Sequence, residues 1–164
     1  DMAAPSVSLE GKNLWLVQSL PVTPGAALRA KLSVQLVLTA PAALFCTACA
    51  LIVLRPAPLE AVLALLCAAG ASLLLSAASL WLGLLSPNLT WTSEIVPIKQ
   101  SMSVMIALLG GWAYGGLFVG AYLLGGHHLG AAGYLCAALG VTAAGGAALC
   151  VWIARRGAKI FASL

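Results

Sequence analysis

Few side chains in this sequence are of types that do chemistry, and their spacing decides what they can do. Cys46 and Cys49 form a Cys-Thr-Ala-Cys element, and two thiols three residues apart on a helix share a face. A structural zinc site needs four such ligands. No second Cys-x-x-Cys and no nearby His accompanies the pair, so it reads as two small apolar side chains rather than a metal or redox site. Cys67, Cys136 and Cys150 also stand in apolar runs. His127 and His128 are adjacent on a glycine-rich turn without a carboxylate or thiol beside them, and read as solvated.

The four acidic residues, Asp1, Glu10, Glu60 and Glu94, fall in different segments. They make no carboxylate pair, and no Ser/His/Asp or Cys/His set is visible. The phosphate-cradling pattern GxxxxGK[ST] is absent, so a process driven by ATP would need the nucleotide on another chain. The sequence therefore predicts no enzyme chemistry, no metal and no directly bound cofactor.

What could position such residues follows from composition. Of the 164 residues, 62% are hydrophobic and 7% charged, against about a quarter charged in an ordinary soluble domain. The mean hydropathy is +1.06. Too few polar side chains exist to cover a water-soluble globule, so lipid must solvate most of the surface. The net charge of +4 does not indicate nucleic acid: the basic residues lie between apolar runs and are not interleaved with stacking aromatics.

Residues 32–54 hold no charge between Lys31 and Arg55. At ~1.5 Å rise per residue they exceed the ~30 Å of a bilayer's hydrocarbon. Thr23 and Pro24 suit the N-cap and first position of this helix, which then carries Arg29 and Lys31 at headgroup level. Pro41 is expected to kink it or to sit against a neighbouring helix. Charge-free runs, with turn residues between them, place further spans at about 61–85, 100–124 and 131–154. The expected fold is all-α and polytopic, a single transmembrane domain of four helices with a short interfacial segment at its N-terminal side.

Four spans put both ends on one face. That face holds Lys12, Arg29, Lys31, Lys99, Arg155, Arg156 and Lys159, and the other holds Arg55 alone. The positive-inside rule then makes 1–31, 86–99 and 155–164 cytoplasmic, in a protein integral to the plasma membrane. The Asn88-Leu89-Thr90 triplet falls on the wrong side for glycosylation and reads as a turn. The first thirty residues lack the pattern of a signal peptide, and a start at Asp1 predicts the C-terminal part of a longer protein.

No charged residue lies within the four spans, so no proton or ion relay is visible. Gly111 to Gly115 and Gly116 to Gly120 both have the GxxxG spacing that lets another helix approach closely. Helix packing is the simpler reading, within the chain or against a second copy. A smooth wall for a bulky substrate is the other.

The stretch SLEGKNLWLVQSLPVTPGAALRAK, residues 8–31, is amphipathic only in part: Leu9, Leu16 and Leu20 share a helical face, but Asn13 lies among them. Anchoring on the lipid surface, with Trp15 at headgroup level, accounts for it on physical grounds. It also resembles the segment that leads into a transmembrane helix in permease subunits of type-2 ABC exporters. The matching positions are Glu10, Gly11, Leu20, Pro21, Val22, Thr23, Pro24 and Lys31. The loop PNLTWTSEIVPIKQSMSV is similar to that of an exporter subgroup, through Pro87, Leu89, Trp91, Glu94, Lys99, Gln100 and Ser101. The tail resembles that subgroup's ending at Gly157, Phe161 and Leu164. Such permeases usually have at least six spans, whereas four are visible here.

The resemblance implies a permease that exports an unidentified substrate, works with a separate ABC ATPase subunit, and generally pairs with a second copy. It further implies that Glu10 and Lys12 pair with the ATPase, and that Glu10, Gly11, Lys12 and Trp15 transmit its motion. Pro21 to Pro24 would fix the junction to the first span, with Trp91, Glu94 and Lys99 in the second cytoplasmic element. The alternative is a non-transporting membrane scaffold whose glycine faces assemble partners.

Overall fold

A computed structural model describes residues 5–6, 23–85, 102–157 and 160 of the chain. Among these residues there is no strand. Four helices dominate: α1 (Pro24–Leu54), α2 (Pro58–Leu85), α3 (Met102–Leu124) and α4 (Gly130–Trp152). A 3-10 turn, Gly126–Leu129, joins α3 to α4, and a π-helical turn, Ile153–Gly157, extends α4. All four helices are long and apolar enough to cross a membrane. The protein is an all-α polytopic membrane protein.

Local sequence explains the helix ends. Thr23 is extended (φ −67°, ψ 141°), and its carbonyl accepts hydrogen bonds from the amides of Ala26 (2.9 Å) and Ala27 (3.2 Å). Pro24 follows where a missing N–H costs nothing. Thr23 thus occupies the N-cap position expected of it, but its hydroxyl makes no capping bond. Arg29 and Lys31 lie within α1, which starts about two turns before the apolar run that begins at residue 32. At the other end Arg55 adopts a left-handed conformation (φ 47°, ψ 53°) and returns its amide to the Leu51 carbonyl. Pro41 sits inside α1, exposed, without ending the helix.

Lipid offers no hydrogen bonds, so hydroxyls in the spans must find partners in the protein. Thr39 donates to the Gln35 carbonyl, Thr47 to Ala43, Ser72 to Ala69, Ser79 to Leu75 and Thr142 to Leu139. Each bond returns to the preceding turn of its own helix.

α2 is the centre of the bundle. It packs most extensively against α4, less against α1 and least against α3. The α2–α4 seam is closed by small residues: a Cβ added at Gly70 would lie 3.1 Å from the Thr142 hydroxyl. At Gly145 it would lie 3.2 Å from Leu74, and at Gly146 3.7 Å from Leu73. The apolar core sits at one end, where Leu28 of α1, Ala77, Leu80 and Leu84 of α2 and Ile153 meet. Trp81 and Trp152 pack edge to face beside it, centroids 6.2 Å apart.

Because Leu28 and Ile153 share this core, the start of α1 and the end of α4 lie together. Arg29, Lys31, Arg155 and Arg156 therefore mark one end of the bundle and Arg55 the other. Lys31 Nζ donates to the Ser6 carbonyl at 2.9 Å.

Candidate functional site

Serine at positions 72, 76 and 79 of α2 recurs at i, i+4 and i+7, which puts three hydroxyls on one helical face along about 10 Å. Gln35 and Thr39 on α1 are spaced by four and meet them. Thr39 and Ser76 hydroxyls are 3.4 Å apart. Since the Thr39 proton already bonds the Gln35 carbonyl, Ser76 is the donor across this pair. Gln35, Ser72, Ser76 and Ser79 are each more than nine-tenths covered.

These residues floor a groove between α1 and α3. Its volume is about 440 Å³, and Gln35, Thr39, Ser72, Ser76, Ser79 and Trp112 line it together with alanine, leucine and Gly111. The groove exists because α3 stands off α2. No described atom lies within 4 Å of the Cβ position at Gly111, and Trp112 at the rim is 80% exposed. The Thr39–Ser76 pairing aligns the antiparallel α1 and α2, so the groove lies in the half of the bundle nearer Arg29 and Lys31. It offers hydrogen bonding in a largely apolar setting, and among the described residues no Asp, Glu, His, Lys, Arg or Cys lines it.

Sequence reasoning passed over these residues. A search for charges within the spans misses serine, threonine and glutamine. The i, i+4, i+7 spacing on α2 was the signal that could have found the stripe.

Of the residues singled out from the sequence, Pro24 opens α1. Gly111, Gly115, Gly116 and Gly120 lie on α3 with no described atom within 4 Å of a Cβ at any of them. The pairs Gly111/Gly115 and Gly116/Gly120 lie on different sides of α3, no described helix packs closely on either, and Gly111 adjoins the groove. Glu10, Gly11, Lys12, Trp15, Pro21, Trp91, Glu94 and Lys99 lie outside the described residues, as do Phe161 and Leu164. Cys46 and Cys49 are exposed, free thiols on α1. Among the described residues no group of three or more His, Cys, Asp or Glu side chains is placed to hold a metal. The amide of His128 bonds the Gly125 carbonyl in the turn before α4.

Compared with known proteins, the chain matches no family model, no curated protein and no solved structure.

Proposed function

We propose that this chain is the membrane-spanning part of an ABC exporter permease, moving its substrate outward while a separate ATPase subunit hydrolyses ATP. The observation that carries the reading is the junction at Leu20-Pro21-Val22-Thr23-Pro24. α1 begins at Pro24, within the motif that resembles the permease segment, so its Pro-x-x-Pro element runs straight into the helix that carries Lys31, which suits a rigid link between a cytoplasmic lever and a span. A lever of this kind converts closure of the ATPase into helix movement. Seven basic residues against one favour a plasma-membrane orientation with the termini and residues 86–99 cytoplasmic.

The test is co-purification of the tagged protein with its candidate ATPase in mild detergent. Wild type is compared with Glu10→Lys and with residues 8–20 replaced by a Gly/Ser linker, all at matched expression. Retention by wild type and loss by both variants supports the permease. No retention by wild type favours the second reading, a scaffold without transport, for which the open glycine face of α3 speaks.

A further inference from the structure

The groove between α1 and α3 has a polarity that selects among ligands. The protons of Ser72, Ser79 and Thr39 bond carbonyls of their own helices, and that of Ser76 goes to Thr39. What these four hydroxyls still offer is acceptor lone pairs. Among the described residues no formal charge lines the groove, so an ion entering it would lose hydration without gaining a counter-charge from them. Its walls are otherwise apolar, and its volume of about 440 Å³ falls in the ~300–1,000 Å³ range of small-molecule sites.

Helix packing alone does not account for the stripe. Ser76 does bridge to α1, but Ser72 and Ser79 bond only their own helix and still line the groove. We infer that the groove binds an uncharged amphiphile whose hydroxyl or amide donors lie along the Ser72-Ser76-Ser79 stripe and whose apolar body rests against α3 at Gly111 and Trp112. The inference goes beyond the transport reading and does not rest on it, since such binding needs neither ATP nor an ATPase.

The test uses the whole chain in phosphatidylcholine nanodiscs and a photoreactive diazirine monoacylglycerol, an uncharged diol with one acyl chain. Labelled residues are mapped by mass spectrometry. Competitors share one acyl chain: unlabelled monoacylglycerol, the fatty acid methyl ester, which has no donor, and lysophosphatidate, which is anionic. Saturable labelling of the groove walls is expected, with monoacylglycerol competing at least tenfold better than either other lipid. Gly111→Leu, which fills the groove from a position with free space around it, should cut labelling at least tenfold. Gly140→Leu on α4, also with nothing near its Cβ position, should leave it unchanged. If Gly111→Leu lowers the melting temperature, the Ser72→Ala/Ser79→Ala double variant decides instead: it should erase the preference for diol over ester. Equal competition by the ester, or labelling that survives both variants, would overturn the proposal. Loss of the ATPase in co-purification would leave it untouched.

Discussion

Two glycine-rich surfaces of this protein have opposite fates. Gly70, Gly145 and Gly146 lie in the α2–α4 seam with side chains of the facing helix at van der Waals distance. Gly111, Gly115, Gly116 and Gly120 on α3 face open space within the described chain. Lipid is as apolar as leucine, so helices in a membrane associate through close contact rather than escape from solvent. A glycine contributes when a complementary side chain enters the notch it leaves. Leu73, Leu74 and Thr142 do so in the seam, whereas among the described residues α3 meets no such partner at either of its glycine pairs.

The contrast breaks most sharply at Gly146. Its Cβ position is already in van der Waals contact, 3.7 Å from Leu73 and 3.8 Å from the Leu74 backbone, so the further atoms brought by Gly146→Leu overpack the seam. A loss of about 1–3 kcal/mol is expected, read as a lower melting temperature in detergent. Next comes Gly130, which opens α4 with φ +73°. Gly130→Ala places a Cβ in a left-handed conformation, and a loss of roughly 1–2 kcal/mol is expected. The same melting assay checks it, with Gly133→Ala as a helical control.

A smaller effect is expected at Ser76. Ser76→Ala removes the hydroxyl contact between α1 and α2, and such bonds in membrane bundles average about 0.6 kcal/mol. A double-mutant cycle with Thr39→Val should return a coupling of that size. The smallest change is expected on α3, where Gly115→Leu with Gly116→Leu should leave chain stability within roughly 0.5 kcal/mol of wild type. Cross-linking of the same variant sharpens the comparison: loss of a wild-type dimer would mean that the face is closed by a second copy.

The elements were legible in the sequence because charge-free runs such as 32–54 and 61–85 have no competing explanation in a chain this apolar. Pro24 could be read as a helix start because its missing N–H is tolerated there. A hydropathy count nevertheless places the start of α1 late. It detects the end of the hydrocarbon, and a helix carrying Arg29 and Lys31 continues past it. The groove was not legible, since hydroxyls bonded to their own helix barely alter hydropathy and Gln35 is a single amide near a charged end. Nor could GxxxG spacing separate the α3 face from the seam. Spacing says that a backbone is approachable, and it is silent on which helix approaches.

The connection between α1 and α2 is three residues long, from Arg55 to Ala57. Two helices tied so tightly form one hairpin. In the proposed orientation its tip takes across the bilayer one guanidinium, Arg55, and one carboxylate, Glu60, which carry opposite charge. The second tip, Gly125–Leu129, holds no Lys, Arg, Asp or Glu. Of the two tips that would cross the bilayer in that orientation, only the first, short bend thus carries formal charge, and its two charges cancel.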